Sequence, residues 1–275
     1  MFTTLRGAAL AVSVLGGLLA GCAEGIKASE FTINASEYKF ETTGAVVPGS
    51  NLVTFKNDGK EVHHVQLVQL APGKTMPDLM AALQAGDLSK VPGRFEGGVG
   101  QLAPGGSGQL QTGLTNGTYA MLCFVPAPDG APHFVKGMAG SFEVTGQQNQ
   151  ATFDKPAVKV VASDYAFEAP AKTKAGAVAI ELTNTGREPH EANLFKLASG
   201  VTIEQATKAL AASGPPPAGP PPFVPAGGAQ GILPGQKTQV VATLEKGEYM
   251  LICFIPDPTG TEHFAKGMVR ALTVE

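Results

Sequence analysis

Two of the three cysteines, four of the five histidines and two of the methionines stand at matching places in two stretches of this chain. The first set is His63, Cys123, His133 and Met138; the second is His190, Cys253, His263 and Met268. Both stretches read Cys-Phe-(Val/Ile)-Pro-x-Pro-x-Gly-x-x-His-Phe-x-Lys-Gly-Met. Two imidazoles, a thiolate and a thioether form a soft to borderline donor set, which suits copper moving between its two oxidation states. Cys and the two His would hold the metal in a trigonal plane, with Met as a long, weak axial ligand. Three of the four donors sit on one loop, which must fold tightly. Its Pro and Gly residues supply the turns, and Gly137 or Gly267 lets the backbone bend just before the Met.

Other uses of these residues are weaker. A Cys123–Cys253 disulfide would have to join the ends of two separate units at the short Cα separation that a disulfide requires. Recurrence of Cys, His and Met at one spacing argues against incidental surface residues. His64 is a rival ligand beside His63. On an alternating strand His63 shares a face with Val65 and Leu67, and His64 shares one with Gln66, which favours His63. Met121 and Met250 read as core fillers. Lys136 and Lys266, inside the ligand loops, read as solvated and able to help dock a negatively charged partner.

The elements that must position these residues are also repeated. Ser36-Glu37-Tyr38-Lys39-Phe40 returns as Ser163-Asp164-Tyr165-Ala166-Phe167, and Tyr119–Met138 returns as Tyr249–Met268. The strands are short and alternating. Leu52–Phe55 ends at the turn Asn57-Asp58-Gly59, and Ala177–Ile180 and Gln239–Ala242 are further strands. Thr75 with Asp78, and Thr202 with Gln205, signal one capped helix in each copy. Pro215–Pro217 and Pro220–Pro222 predict an extended surface loop. The pattern is all-β: two tandem Greek-key β-sandwich domains, each with a short helical insertion. The expected bounds are 30–146 and 157–275, with a polar linker at 147–156 and a tether at 22–29.

The Cys-to-Met loop and the segment Asn57-Asp58-Gly59-Lys60-Glu61-Val62-His63 resemble the cupredoxin family, as does the general strand pattern. The second copy, Asn184-Thr185-Gly186-Arg187-Glu188-Pro189-His190, carries the family's Pro-His. The long Cys-to-His spacing is similar to the type 1 loop of copper nitrite reductases more than to that of plastocyanin. The resemblance implies an eight-stranded sandwich with copper at one end, and one-electron transfer. The family often has Asn directly after the first His, where it ties the two ligand loops together. Here His64 and Glu191 stand at that position, so the resemblance does not carry over the rigidity or the potential of the sites.

Residues 1–21 read as a lipoprotein signal peptide. A short positive start and the apolar run Ala8–Leu18 lead to Leu19-Ala20-Gly21-Cys22. This end resembles a bacterial lipobox, which implies lipid on Cys22, export, and anchoring to the cell membrane or outer membrane. A formal net charge of −3 gives no argument for nucleic acid. The redox partner is not identified by the sequence. The expected function is one-electron transfer through two type 1 copper sites, with copper storage or delivery as the alternative. A two-domain copper oxidase or nitrite reductase ranks below both, because the positions before Cys are Leu122 and Ile252 and only His64 is spare. The chain is therefore expected not to be an enzyme.

Overall fold

The structure is a computed structural model and describes residues 27–86, 88–212 and 221–275. The segment 1–21 expected to be a signal peptide, Cys22 and the prolines at 215–217 and 220 lie outside the described residues. In the first half the strands are β1 Ser29–Ser36, β2 Lys39–Gly44, β3 Gly49–Asn57, β4 His63–Leu70, β5 Gly93–Leu102, β6 Ser107–Leu114, β7 Gly117–Leu122 and β8 Ala139–Val144. In the second they are β9 Val158–Ser163, β10 Ala166–Glu168, β11 Lys172–Thr173, β12 Gly176–Asn184, β13 His190–Leu197, β14 Phe223–Ile232, β15 Lys237–Leu244, β16 Gly247–Ile252 and β17 Val269–Val274. The chain is mostly β, as its alternating pattern requires.

Alternation explains the inner faces. In β3, Val53 and Phe55 are fully buried while Leu52 and Thr54, which alternate with them, are only half-buried. β4 and β13 behave differently: seven of the eight residues in each are buried. Their inner face meets the main core, and their outer face is covered by a helix. Helix α1, Met76–Gln84, buries Leu79 and Leu83 beside Val68, Leu70 and Leu122. Helix α2, Ile203–Ala211, buries Ala206 beside Phe195 and Ile252. Both helices begin with the predicted capping box, at Thr75–Asp78 and at Thr202–Gln205.

The halves share their sheets. One sheet runs β10-β9-β12-β15-β6-β3-β1-β2, and the other runs β11-β17-β16-β13-β14-β5-β4-β7-β8. The junctions are β6 with β15 and β5 with β14, each an antiparallel pair of strands equivalent in the repeat. An antiparallel pair of like strands gives the halves a two-fold-like relation. Close approach at the junction needs glycine: a Cβ on Gly100 would lie 2.4 Å from the carbonyl oxygen of Gly227. Side chains cross here too, Gln66 Nε2 donating to Gly231 O at 3.0 Å and Gln101 N donating to Asn193 Oδ1 at 2.9 Å. A single apolar core runs beneath both halves.

The polar segment after β8 is more structured than its composition suggests. Asn149 N donates to Pro48 O at 2.9 Å, and Asn149 Oδ1 accepts from Ser50 N at 2.7 Å. The side-chain amide, a strong donor and acceptor, closes the end of β3 that a featureless linker would leave bare.

Candidate metal centres

The first His of each set opens β4 or β13, immediately after a tight loop. Asn57, fully buried, shapes that loop: its Nδ2 donates to Glu61 O at 2.8 Å and to Leu102 O at 2.9 Å. Asn184 does the same for the second copy, donating to Glu188 O at 2.8 Å and Ile232 O at 3.1 Å. The Cys follows β7 or β16. Its loop folds back through His133 N to Val125 O at 2.9 Å and Phe134 N to Cys123 O at 2.9 Å. The second loop repeats this with His263 N to Ile255 O at 3.0 Å and Phe264 N to Cys253 O at 2.9 Å. Short 3₁₀ turns, His133–Lys136 and His263–Lys266, end at Gly137 and Gly267 with φ of 105° and 101°. That left-handed conformation suits glycine, and it reverses the chain directly before the Met.

These loops bring the two His and the Cys of each set together. His63, Cys123 and His133 are fully buried and offer donor atoms all within 4.8 Å of one another, as do His190, Cys253 and His263. Nδ1 of His63 lies 3.1 Å from Nδ1 of His133, which lies 3.5 Å from Cys123 Sγ. The second group matches at 3.2 and 3.4 Å. Met138 and Met268 are fully buried, and each main-chain carbonyl accepts from the backbone N–H of its Cys, at 3.3 and 3.4 Å. Cys123 and Cys253 are both free thiols, one in each group.

The donor set fits a thiophilic metal ion. Burial pushes the Cys123 thiol up to about 12 and raises that of Cys253. A cation among the donors would reverse that preference and hold the thiolate. Burial, and then the neighbouring His133, pushes His63 down to about 4, so its imidazole is neutral with a free lone pair.

His64 is not among the donors. Its Nε2 accepts from the backbone N–H of Phe124, the residue after Cys123, at 2.6 Å. Glu191 Oε1 accepts from the N–H of Phe254 at 2.9 Å in the same way. The tie between ligand loops that the missing Asn placed in question is therefore made by an imidazole in one half and a carboxyl in the other. Both are buried, so burial pushes His64 down to about 3 and Glu191 up to about 7.

Sequence reasoning missed a carboxylate layer behind the imidazoles. His133 Nε2 lies 3.0 Å from Glu61 Oε2, and His263 Nε2 lies 2.9 Å from Glu188 Oε2. Tyr38 OH donates to Glu61 at 3.2 Å and Tyr165 OH to Glu188 at 3.0 Å, with each ring edge-on to the same imidazole. Both tyrosines take a left-handed φ, 63° and 66°. The repeated Ser-(Glu/Asp)-Tyr was visible in the chain, but nothing in it placed that turn against a loop about 100 residues further on. The lysines are also tied down rather than simply solvated. Lys136 pairs with Asp129 at 2.5 Å and Lys266 pairs with Asp257, and each Nζ lies over its tyrosine ring.

No family model matches the sequence, and no curated protein matches it. Solved structures do align. One is a reduced auracyanin from Roseiflexus castenholzii, at 21% identity over 42% of this chain and 94% of that one, TM-score 0.29. A multicopper oxidase aligns at 15% identity over 90% of this chain and 88% of that one, TM-score 0.26. A copper-containing nitrite reductase from Thermus scotoductus SA-01 aligns at 13% identity over 90% of this chain and 61% of that one, TM-score 0.25. Two His-Cys-His groups in a doubled β-sandwich fit two tandem cupredoxin-like domains.

One expectation is corrected. The chain was expected not to be an enzyme, yet the oxidase and the reductase align over 90% of its length, which leaves enzymatic function open. Counting spare histidines excluded only a second centre built from the imidazoles of one chain. It had no bearing on catalysis at the His-Cys-His groups themselves.

Proposed function

We propose that the chain is an exported blue copper protein that carries single electrons on two type 1 centres, His63–Cys123–His133–Met138 and His190–Cys253–His263–Met268, and is anchored by lipid on Cys22. The observation that carries this reading is the pair of alike, buried His-Cys-His groups, with imidazole Nδ1 atoms and a thiol converging inside the ligand loops. Copper bound there would alternate between its two oxidation states, taking up and releasing one electron. The protein's part is to hold the donors in a geometry that changes little between those states and to keep water out. Among the described residues no helix is long and apolar enough to cross a membrane.

Copper loading followed by visible and EPR spectroscopy, with metal stoichiometry, tests the reading. Two coppers per chain and an intense blue colour with narrow copper hyperfine splitting are expected. Two coppers in a colourless protein would remove the type 1 assignment.

A second reading is oxidation or reduction of a small substrate. It is favoured by a groove of about 620 Å³ between the halves, walled by Phe124, Phe134, Phe195, Phe223, Phe254 and Phe264. Phe124 and Phe254 directly follow the two Cys, which puts the groove beside both ligand loops. Steady-state turnover of nitrite or a phenol by the copper-loaded protein would establish this reading, and none would set it aside.

A further inference from the structure

Besides the loop tie at His64 and Glu191, the two centres differ behind the outer nitrogen of the first ligand. In the second half Asp164 Oδ1 lies 3.2 Å from His190 Nε2, a hydrogen-bond distance. Its other oxygen, Oδ2, takes the Arg187 guanidinium at 3.1 Å on the solvent side, while Oδ1 meets the imidazole and also accepts from the N–H groups of Arg187 at 2.8 Å and Glu188 at 3.4 Å. In the first half the equivalent residue is Glu37. Its Oε1 accepts from the N–H groups of Lys60 and Glu61 and comes no nearer than 3.9 Å to His63 Nε2. That His63 Nε2 is buried and has no hydrogen-bond partner. The two side chains differ by one methylene, and only the shorter one has its carboxylate within hydrogen-bond distance of the imidazole. The second ligand does not discriminate, since His133 and His263 each have their Glu at 3.0 and 2.9 Å.

A carboxylate accepting from the outer N–H of a ligand imidazole makes that imidazole a stronger donor and so favours the more positive state of the metal. We infer that Asp164 is a positioning residue which makes the second centre the harder of the two to reduce, so that a single electron on the molecule resides on the first centre. This rests on the blue copper reading above. It gives the pair a direction: the second centre passes electrons on, and the first holds them.

The test uses single-centre proteins. Cys123→Ser leaves only the second centre and Cys253→Ser only the first, and each is titrated against redox mediators by its visible absorption. The second centre is expected to have the lower potential by at least tenfold in electron occupancy, about 59 mV for one electron. Asp164→Asn should raise it toward the first, and Glu37→Asp should lower the first. Asp164→Glu, which keeps the charge but restores the longer arm, should act like Asp164→Asn. The second readout is the exchange rate of the His190 Nε2 proton by ¹⁵N-resolved NMR in the metal-free protein. It is expected to be slow in the parent and at least tenfold faster in Asp164→Asn. Blue centres with equal or reversed potentials, or with potentials that ignore both substitutions, would overturn the inference. A protein that binds copper without turning blue would instead overturn the functional reading.

Discussion

At the residue scale the two loop ties bear most on stability. His64 and Glu191 each satisfy a backbone N–H beside a candidate ligand, and a buried donor left without a partner costs about 1–3 kcal/mol. His64→Ala and Glu191→Ala should each lower stability by about that much in urea titrations of the metal-free protein, and His64→Asn should recover most of it. Equal stability of the alanine and asparagine variants would show that the tie contributes nothing. The same imidazole gives a pH dependence. His63 and His64 are held down to about 4 and about 3 in the folded chain, against 6.5 for a free imidazole. The unfolded chain therefore binds more protons as pH falls below about 6.5, and folding stability falls with it until those lower values are reached. The unfolding midpoint of metal-free protein should be clearly lower at pH 4.5 than at pH 7.5, and less so in His64→Asn. A midpoint that does not move would contradict the burial argument.

At the scale of the element, the Cys-to-Met loop stands or falls on its final turn. Gly137 and Gly267 take the left-handed conformation, which costs any residue with a Cβ about 1–2 kcal/mol. The space around Gly267 is open, with no atom within 4 Å of an added Cβ, so Gly267→Ala tests backbone strain alone. It should lower stability by about 1–2 kcal/mol and shift the Met268 backbone that brackets Cys253. Circular dichroism melts would show the first effect, and a changed copper spectrum at the second centre only would show the second. An unaltered melt and spectrum would mean that the turn is not what sets the loop.

At the scale of the whole molecule, the halves depend on one another through their edges. β5, β6, β14 and β15 each pair with the other half, so a separated half leaves two strand edges bare. A fragment from Lys27 to Asp154 should self-associate, because the junction strands already pair antiparallel with their own equivalents. Sedimentation equilibrium should find dimers or larger species, and a stable monomer would mean that the junction adds little.

Much of the site could be read along the chain because its donors are chemically distinctive and keep one local spacing. Cys123 to Met138 is a single loop, and its repetition as Cys253 to Met268 left little room for other uses. The capped helices and the alternating strands were legible for the same reason: each depends on neighbours a few residues away. Strand alternation also separated His63 from His64, but it did not reveal that α1 and α2 bury the outer faces of β4 and β13. Only the tertiary structure decided that the halves share both sheets, that His64 and Glu191 make the loop tie, and that Glu61, Glu188 and Asp164 back the imidazoles. Those contacts join residues tens of positions apart. A difference as small as Glu37 against Asp164 acquires meaning only when distance to a buried nitrogen is set by the packing around it.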